Sequence, residues 1–278
     1  MQHLIVQGAD VETRDLKDLA KLTDARAIEQ VTGTAFRLVD AHVMHEAVAE
    51  FCATHSLDCG YVPAGRKLGD MRLFVTDMDS TLITIECIDE IADQQGLKRE
   101  VSDITAAAMR GELDFKQSLR KRVALLKGLP ADALQRVYDE RLQLTPGAER
   151  LMRKLQQSGI TTVLVSGGFT FFTERIKARL GFDHAFSNTL EIHDGRLTGA
   201  VTGDIVDGEA KRTHLMTTAA TIGATREQII AAGDGANDLR MMGEAAVSIA
   251  YKAKPVVRQQ AAYSLNHVGL DGILNLFE

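Results

Sequence analysis

Two carboxylates end an apolar run in the first third of this chain. The run RLFVTDMD is almost unbroken in apolar residues and ends in Asp77 and Asp79, which is typical of a strand buried on both faces of a parallel sheet. Two carboxylates two residues apart can share the work of phosphoryl transfer. One attacks phosphorus and becomes an acyl phosphate, while the other protonates the leaving oxygen and later deprotonates water. The pattern D-x-D-x-T, completed by Thr81, therefore indicates phosphoryl-transfer chemistry.

Two further apolar runs end in polar residues. TTVLVSGG ends in Ser166 and Gly167, and IIAAGDGAND ends in Asp234, Asn237 and Asp238. Taken singly, each group is also typical of turns and helix caps. Because open parallel sheets bind ligands outside the carboxyl ends of their strands, we expect the three groups to meet at one edge. Acids gathered there repel one another, and oxygen ligands without His or Cys favour Mg²⁺ between them.

A magnesium site beside a Ser hydroxyl, Gly amides and a lysine suits a phosphoryl group. The metal and the lysine neutralise charge that would otherwise repel an anionic nucleophile from an anionic substrate. The three strand ends therefore predict a site for a phosphate ester.

Alternating strands and helices predict the fold that positions these groups. After residue 70 the alternation is typical of an α/β fold, a Rossmann-like parallel sheet with helices on both faces. A long helical stretch, roughly 86–142, interrupts it. Thr145-Pro146 predicts a helix start with a capping hydroxyl, and Asp194-Gly195 predicts a tight hairpin. The last third predicts, in order, helix 210–222, strand 229–235, helix 236–244, strand 246–250 and two short helices.

The first 70 residues predict a separate small domain. Their elements read in the order βαββαβ, which is typical of a split ferredoxin-like α+β unit. A polar stretch with two glycines, 65–70, separates them from the rest of the chain. We expect domains at 1–70 and 71–278.

The motifs after residue 70 resemble those of the haloacid dehalogenase (HAD) superfamily of phosphatases. D-M-D-S-T from Asp77, S-G-G from Ser166, Lys211 and G-D-G-A-N-D to Asp238 appear in the order of that superfamily's four motifs. The segments DMDSTLITIECIDEIA, MRGELDFKQSLRKRVALLKGLP and VSGGFTFF extend the resemblance to the branch that hydrolyses phosphoserine. The first 70 residues resemble the ACT-like modules attached to some bacterial relatives.

This resemblance implies a role for each motif residue. Asp77 would be the nucleophile and Asp79 the general acid and base. The side chains of Asp77 and Asp234 and the main-chain carbonyl of Asp79 would hold Mg²⁺, supported by Asp238. The phosphoryl group would be bound by Ser166, Gly167 and Lys211, with Asn237 nearby.

The same resemblance implies that the helical stretch is a cap, about 86–144, inserted into the phosphatase domain. Glu86 would bind the substrate ammonium and Arg122 its carboxylate, with Met109 and Phe115 as apolar walls. The expected reaction is hydrolysis of the small molecule O-phospho-L-serine through an aspartyl phosphate, the last step of L-serine biosynthesis.

Composition excludes several other classes of protein. The net charge of −6, the absence of Trp and an aromatic content of 5% argue against a nucleic-acid partner. Three cysteines without a CxxC pair predict reduced thiols. With no apolar run long enough to cross a bilayer and no pattern of a signal peptide, we expect a cytoplasmic protein without a membrane partner. A homodimer is left open.

Two alternatives remain at this point. One is a phosphatase of the same superfamily acting on another small ester, such as phosphohomoserine or a sugar phosphate. The other is a non-catalytic amino-acid sensor whose phosphatase fold has lost its activity.

Overall fold

The computed structural model describes residues 1–278, except for the side chain of Met109, whose predicted wall position therefore lies outside the described part. The first section has the predicted order βαββαβ. Its strands form an antiparallel sheet of order β2-β3-β1-β4. The elements are β1 (Gln2–Gln7), α1 (Thr13–Leu22), β2 (Ala27–Thr32), β3 (Ala35–Val39), α2 (His45–Thr54) and β4 (Asp58–Pro63).

The second section is built on a seven-stranded sheet of order β11-β10-β9-β5-β6-β7-β8, in which only β8 is antiparallel. This confirms the predicted α/β class. Its strands are β5 (Leu73–Thr76), β6 (Thr161–Phe169), β7 (His184–His193), β8 (Arg196–Thr202), β9 (Ile229–Gly233), β10 (Val247–Tyr251) and β11 (Tyr263–Leu265). Its helices outside the cap are α7 (Ala148–Gln157), α8 (Thr170–Leu180), α9 (Gly208–Ile222), α10 (Leu239–Met242) and α11 (Pro255–Gln260).

The central strand β5 is buried on both faces, as its unbroken apolar run predicts. Leu73 and Val75 belong to the core on one face of the sheet, while Phe74 belongs to the core on the other. All four residues of the strand are fully buried. β5 therefore carries the residues that follow it into the middle of the molecule.

The long helical stretch forms four helices between β5 and α7. They are α3 (Cys87–Asp93), α4 (Lys98–Met109), α5 (Phe115–Leu125) and α6 (Asp132–Glu140). Two adjacent chain segments connect them to the sheet, where Ile83 bridges Leu144 and the N–H of Thr84 donates to the carbonyl of Gln143 (3.0 Å). None of the helices among the described residues is long and apolar enough to cross a membrane.

Two local predictions are wrong. The hydroxyl of Thr145 donates to the carbonyl of Thr81 (2.8 Å) instead of capping a helix, and α7 begins at Ala148 after Gly147. The predicted helix 236–244 is a 3₁₀ turn followed by the four residues of α10. The two short helices expected at the end are α11 and the 3₁₀ helix Leu270–Leu276, and the edge strand β11 between them was not predicted. The tight hairpin is confirmed, because Asp194 and Gly195 both have positive φ between β7 and β8.

The sheet of the first section is covered on both faces. Leu4 and Val6 of β1 face its own helices, whereas Ile5 and Val62 belong to the same core as Phe277 from the far end of the chain. The expected division at residue 70 stays a prediction, since this core crosses it.

Asp58 joins the two sections. It is 3% exposed, and its carboxylate accepts hydrogen bonds from the backbone N–H groups of Asn266 (2.8 Å), His267 (2.8 Å) and Val268 (3.2 Å). Burial raises the pKa of Asp58, although these bonds oppose the rise. The carboxylate thus fixes the loop that follows β11.

We expect Asp58→Ala to lower the free energy of unfolding by about 2 kcal/mol or more, because it leaves three amides without their acceptor. Urea denaturation followed by circular dichroism measures the change. Asp18→Ala is the matched control, since Asp18 is an exposed carboxylate of α1 whose contact with Arg14 is worth little. A loss for Asp58→Ala no larger than the control's would contradict the role given to Asp58.

Candidate active site

The ends of three neighbouring strands meet at one edge of the large sheet. β5 lies between β6 and β9, so the residues after β5 and β9 and the last residues of β6 converge as predicted. A cavity of about 500 Å³ opens between this edge and the cap. Its lining contains seven of the nine predicted site residues: Asp77, Asp79, Glu86, Arg122, Gly167, Asp234 and Asn237. The other two, Ser166 and Lys211, are fully buried beside it.

Asp77 is fixed at the floor of the cavity. Its N–H donates to the carbonyl of Ala232 (3.0 Å), and its Oδ1 accepts a hydrogen bond from Lys211 Nζ (2.6 Å). Burial and the nearby carboxylate of Asp238 raise the pKa of Asp77, against the effect of Lys211. The carboxylate therefore depends on positive charge around it to stay ionised.

Lys211 supplies such a charge. It projects from the first turn of α9 and also donates to Asp238 Oδ1 (2.7 Å). Burial alone would lower its pKa, but Asp238 and Asp77 outweigh burial and raise it. Lys211 is therefore a permanent buried cation.

Asp79 has different surroundings. Its Oδ1 accepts the N–H of Cys87 (2.9 Å), and its Oδ2 accepts the hydroxyl of Ser166 (3.3 Å). Burial raises its pKa, which suits a group that must deliver a proton. A Cβ on Gly168 would lie 2.5 Å from Asp79 Oδ2, so any larger residue at this position would clash with the Asp79 carboxyl.

Three carboxylates form an acidic cluster. Asp77, Asp234 and Asp238 each offer an oxygen within 4.8 Å of the others. Burial, followed by Asp238, raises the pKa of Asp234 to about 6. A donor set of carboxylate oxygens alone fits a hard divalent cation. The third carboxylate of the cluster is thus that of Asp238, which the resemblance implied only as a support for the metal site. The role of the Asp79 carbonyl as a metal ligand stays a prediction.

A tight loop at the end of β6 contributes Gly167 and Gly168 to the cavity lining. The N–H of Gly168 donates to Ser166 Oγ (2.8 Å), and Gly167 lies against Phe115 of the cap, whose ring a Cβ there would meet at 2.8 Å. Asn188, which the sequence analysis missed, holds this loop: its Nδ2 donates to the carbonyl of Gly167 (2.8 Å) and its Oδ1 accepts the N–H of Val206 (2.8 Å). Sequence spacing carries no signal for this residue, because its two partners lie 21 and 18 residues away.

Glu86 and Arg122 line the cap side of the cavity. The hydroxyl of Ser80 donates to Glu86 Oε1 (2.6 Å), and burial, followed by Asp79, raises the pKa of Glu86 to about 7. Burial lowers the pKa of Arg122, against the charges of Glu86 and Asp89. Among the described residues, Arg122 Nε is buried and has no hydrogen-bond partner. As a lining residue, Arg122 places a positive charge where a ligand would bind.

Two charged residues of the lining were not predicted. Asp89 follows Glu86 by one helical turn of α3, so helical spacing could have identified it. Lys254 follows β10 at the same edge as the acids, which the rule for strand ends could have found.

Comparison with known proteins agrees with this geometry. Residues 74–243 match the family model of haloacid dehalogenase-like hydrolases, and residues 4–48 match a domain of unknown function. A phosphoserine phosphatase of Polaromonas sp. is 56% identical over 76% of this chain and 91% of its own length.

Two solved structures are similar over nearly the whole chain. One is a HAD family hydrolase from Salmonella enterica serovar Typhi (TM-score 0.90, 35% identity, 100% of this chain and 99% of that one). The other is a probable phosphoserine phosphatase from Vibrio cholerae (TM-score 0.85, 37% identity, 99% and 85%). The chain therefore belongs to the haloacid dehalogenase-like hydrolases and, within them, to the phosphoserine phosphatase family.

Proposed function

We propose that this protein hydrolyses O-phospho-L-serine to L-serine and phosphate, with Mg²⁺ as its cofactor. The observation that carries the proposal is that Arg122 and Glu86 line the same cavity as Asp77. A planar guanidinium edge suits a carboxylate, and a carboxylate such as Glu86 suits an ammonium. A sugar phosphate offers neither group.

The reaction needs two carboxyl groups, and each has the surroundings for one role. Asp77 attacks phosphorus while Asp79, whose pKa is raised by burial, gives its proton to the seryl oxygen as the P–O bond breaks. Asp79 then takes a proton from water, and the hydroxide attacks the phosphorus of the aspartyl phosphate. Phosphate leaves and Asp77 is restored.

Other residues hold the phosphoryl oxygens during both steps. Lys211, the hydroxyl of Ser166 and the amide of Gly167 are the donors for these oxygens. Without substrate, that hydroxyl bonds to Asp79 and accepts the N–H of Gly168. Asp77, Asp234 and Asp238 would hold the metal, which supplies positive charge that offsets repulsion between nucleophile and phosphate. Phe115 and the cap exclude bulk water. The cytoplasmic location stays a prediction, and a homodimer stays an open alternative.

Substitution of Arg122 and Glu86, on the cap side of the cavity, tests whether the site selects phosphoserine. We expect Arg122→Ala and Glu86→Ala each to lower kcat/KM for phosphoserine by about tenfold or more, because truncating one partner of a buried, hydrogen-bonded charge pair costs about 2–5 kcal/mol. Arg122→Lys keeps the charge but loses the fork, so it should also be impaired. Steady-state phosphate release, with p-nitrophenyl phosphate as the second substrate, measures both effects.

The aryl phosphate lacks both groups, so its hydrolysis should change much less. Arg120→Ala is the matched control, since Arg120 is an exposed arginine on the same helix. Equal losses on both substrates would show that Arg122 and Glu86 shape the site without selecting phosphoserine. No release of phosphate from phosphoserine by the unaltered protein would refute the proposal.

A further inference from the structure

The charges that line the cavity are mostly negative. Five carboxyl groups face it, and among the described residues only two cationic side chains do, Arg122 and Lys254. Lys211 lies behind the surface, fully buried and bonded to two carboxylates. The carboxyl groups are those of Asp77, Asp79, Glu86, Asp89 and Asp234. A phosphate ester is an anion, so it meets unfavourable charge on entry.

The two cationic residues lie on different sides of the cavity. Arg122 belongs to the cap and is largely buried. Lys254 belongs to the sheet edge, between β10 and α11, and is exposed. Its N–H donates to the carbonyl of Asp234 (3.3 Å), which fixes its backbone beside the acidic cluster. Lys254 therefore places an exposed residue with a positive charge on the side of the cavity where the phosphoryl group would bind.

Lys254 and Asp234 line the same cavity, and the backbone bond between them keeps the lysine next to the acidic cluster. A positive charge in this lining attracts an approaching phosphate. Charge at the opening of a low-dielectric cleft raises the local concentration of an oppositely charged substrate.

We propose that Lys254 is a substrate-binding residue that draws the phosphoryl end of the substrate to the sheet edge. This rests on the proposed function only in requiring a phosphate ester. The attraction acts on the ester before and during reaction alike, so its loss should raise KM and leave kcat nearly unchanged. Because the residue is exposed, salt should weaken its effect.

The test compares Lys254→Glu, Lys254→Ala and Lys254→Arg with the unaltered protein in the presence of Mg²⁺. Phosphoserine and p-nitrophenyl phosphate are both used, at about 0.01 M and about 1 M salt, where screening is weak and strong respectively. Lys252→Glu is the matched control, because Lys252 is an exposed lysine of the same loop that does not line the cavity.

At low salt we expect Lys254→Glu to raise KM about tenfold for both substrates and Lys254→Ala to raise KM less. Lys254→Arg keeps the charge, so its KM should stay close to that of the unaltered protein. The difference in KM between Lys254→Glu and the unaltered protein should shrink at high salt. Lys252→Glu should change KM much less than Lys254→Glu does. An unchanged KM, a fall in kcat alone, or an equal effect of Lys252→Glu would overturn the proposal. If the unaltered protein did not hydrolyse phosphoserine, while KM for the aryl phosphate changed among the variants as expected, the proposed substrate would be refuted and the role of Lys254 supported.

Discussion

Asp77→Asn should abolish turnover while leaving the fold intact. An amide cannot attack phosphorus, and we expect kcat to fall at least about a thousandfold, roughly 4 kcal/mol in the barrier. The fold should survive because the amide is nearly isosteric and Lys211 keeps its bond to Asp238. Phosphate release measures the first effect and thermal unfolding the second.

A trapping experiment separates loss of the nucleophile from general damage. Beryllofluoride, or a phosphoryl adduct caught by rapid quenching, should map to Asp77 in the unaltered protein and be absent from the variant. Asp204→Asn is the matched control, since Asp204 is exposed and outside the cavity lining. Turnover of Asp77→Asn within about tenfold of the unaltered protein, only about 1.4 kcal/mol, would disprove the assignment.

Removal of divalent metal should also abolish activity, and Mg²⁺ should restore it. The oxygens of Asp77, Asp234 and Asp238 lie within 4.8 Å of one another, and a bound phosphate would add negative charge beside them. Lys211 alone does not balance these charges. Excess Ca²⁺ should inhibit, because its larger and looser coordination shell displaces the nucleophile from its in-line position.

The measurement is phosphate release after treatment with a chelator, its removal, and addition of single metals. Circular dichroism before and after treatment shows whether the fold has survived. Asp234→Asn should raise the Mg²⁺ concentration needed for half-maximal activity, because it removes one anionic ligand. Full activity of a metal-free sample would contradict a metal-dependent mechanism.

The sheet edge could be predicted from sequence because each motif is local to one strand end. Asp77, Ser166 and Asp234 each end an apolar run, and the rule for open parallel sheets brings those ends together without knowledge of strand order. The same locality explains the hairpin at Asp194-Gly195, where only two residues decide the turn.

Features that depend on distant partners could not be predicted in this way. Thr145 looked like a helix cap, but its hydroxyl bonds to the carbonyl of Thr81 on the other connection to the cap. Asn188 acts through Gly167, 21 residues away. Each case requires a contact that sequence spacing does not encode.

The contacts of Asp58 have a consequence for synthesis of the chain. Its partner Val268 follows 210 residues later, so a ribosome adding about 5–20 residues per second delivers it roughly 10–40 seconds afterwards. Until then the sheet of the first section has helices on one face only, with Ile5 and Val62 uncovered on the other. The nascent chain thus carries an exposed apolar surface through most of its translation, and we expect chaperones that bind such surfaces to engage it there.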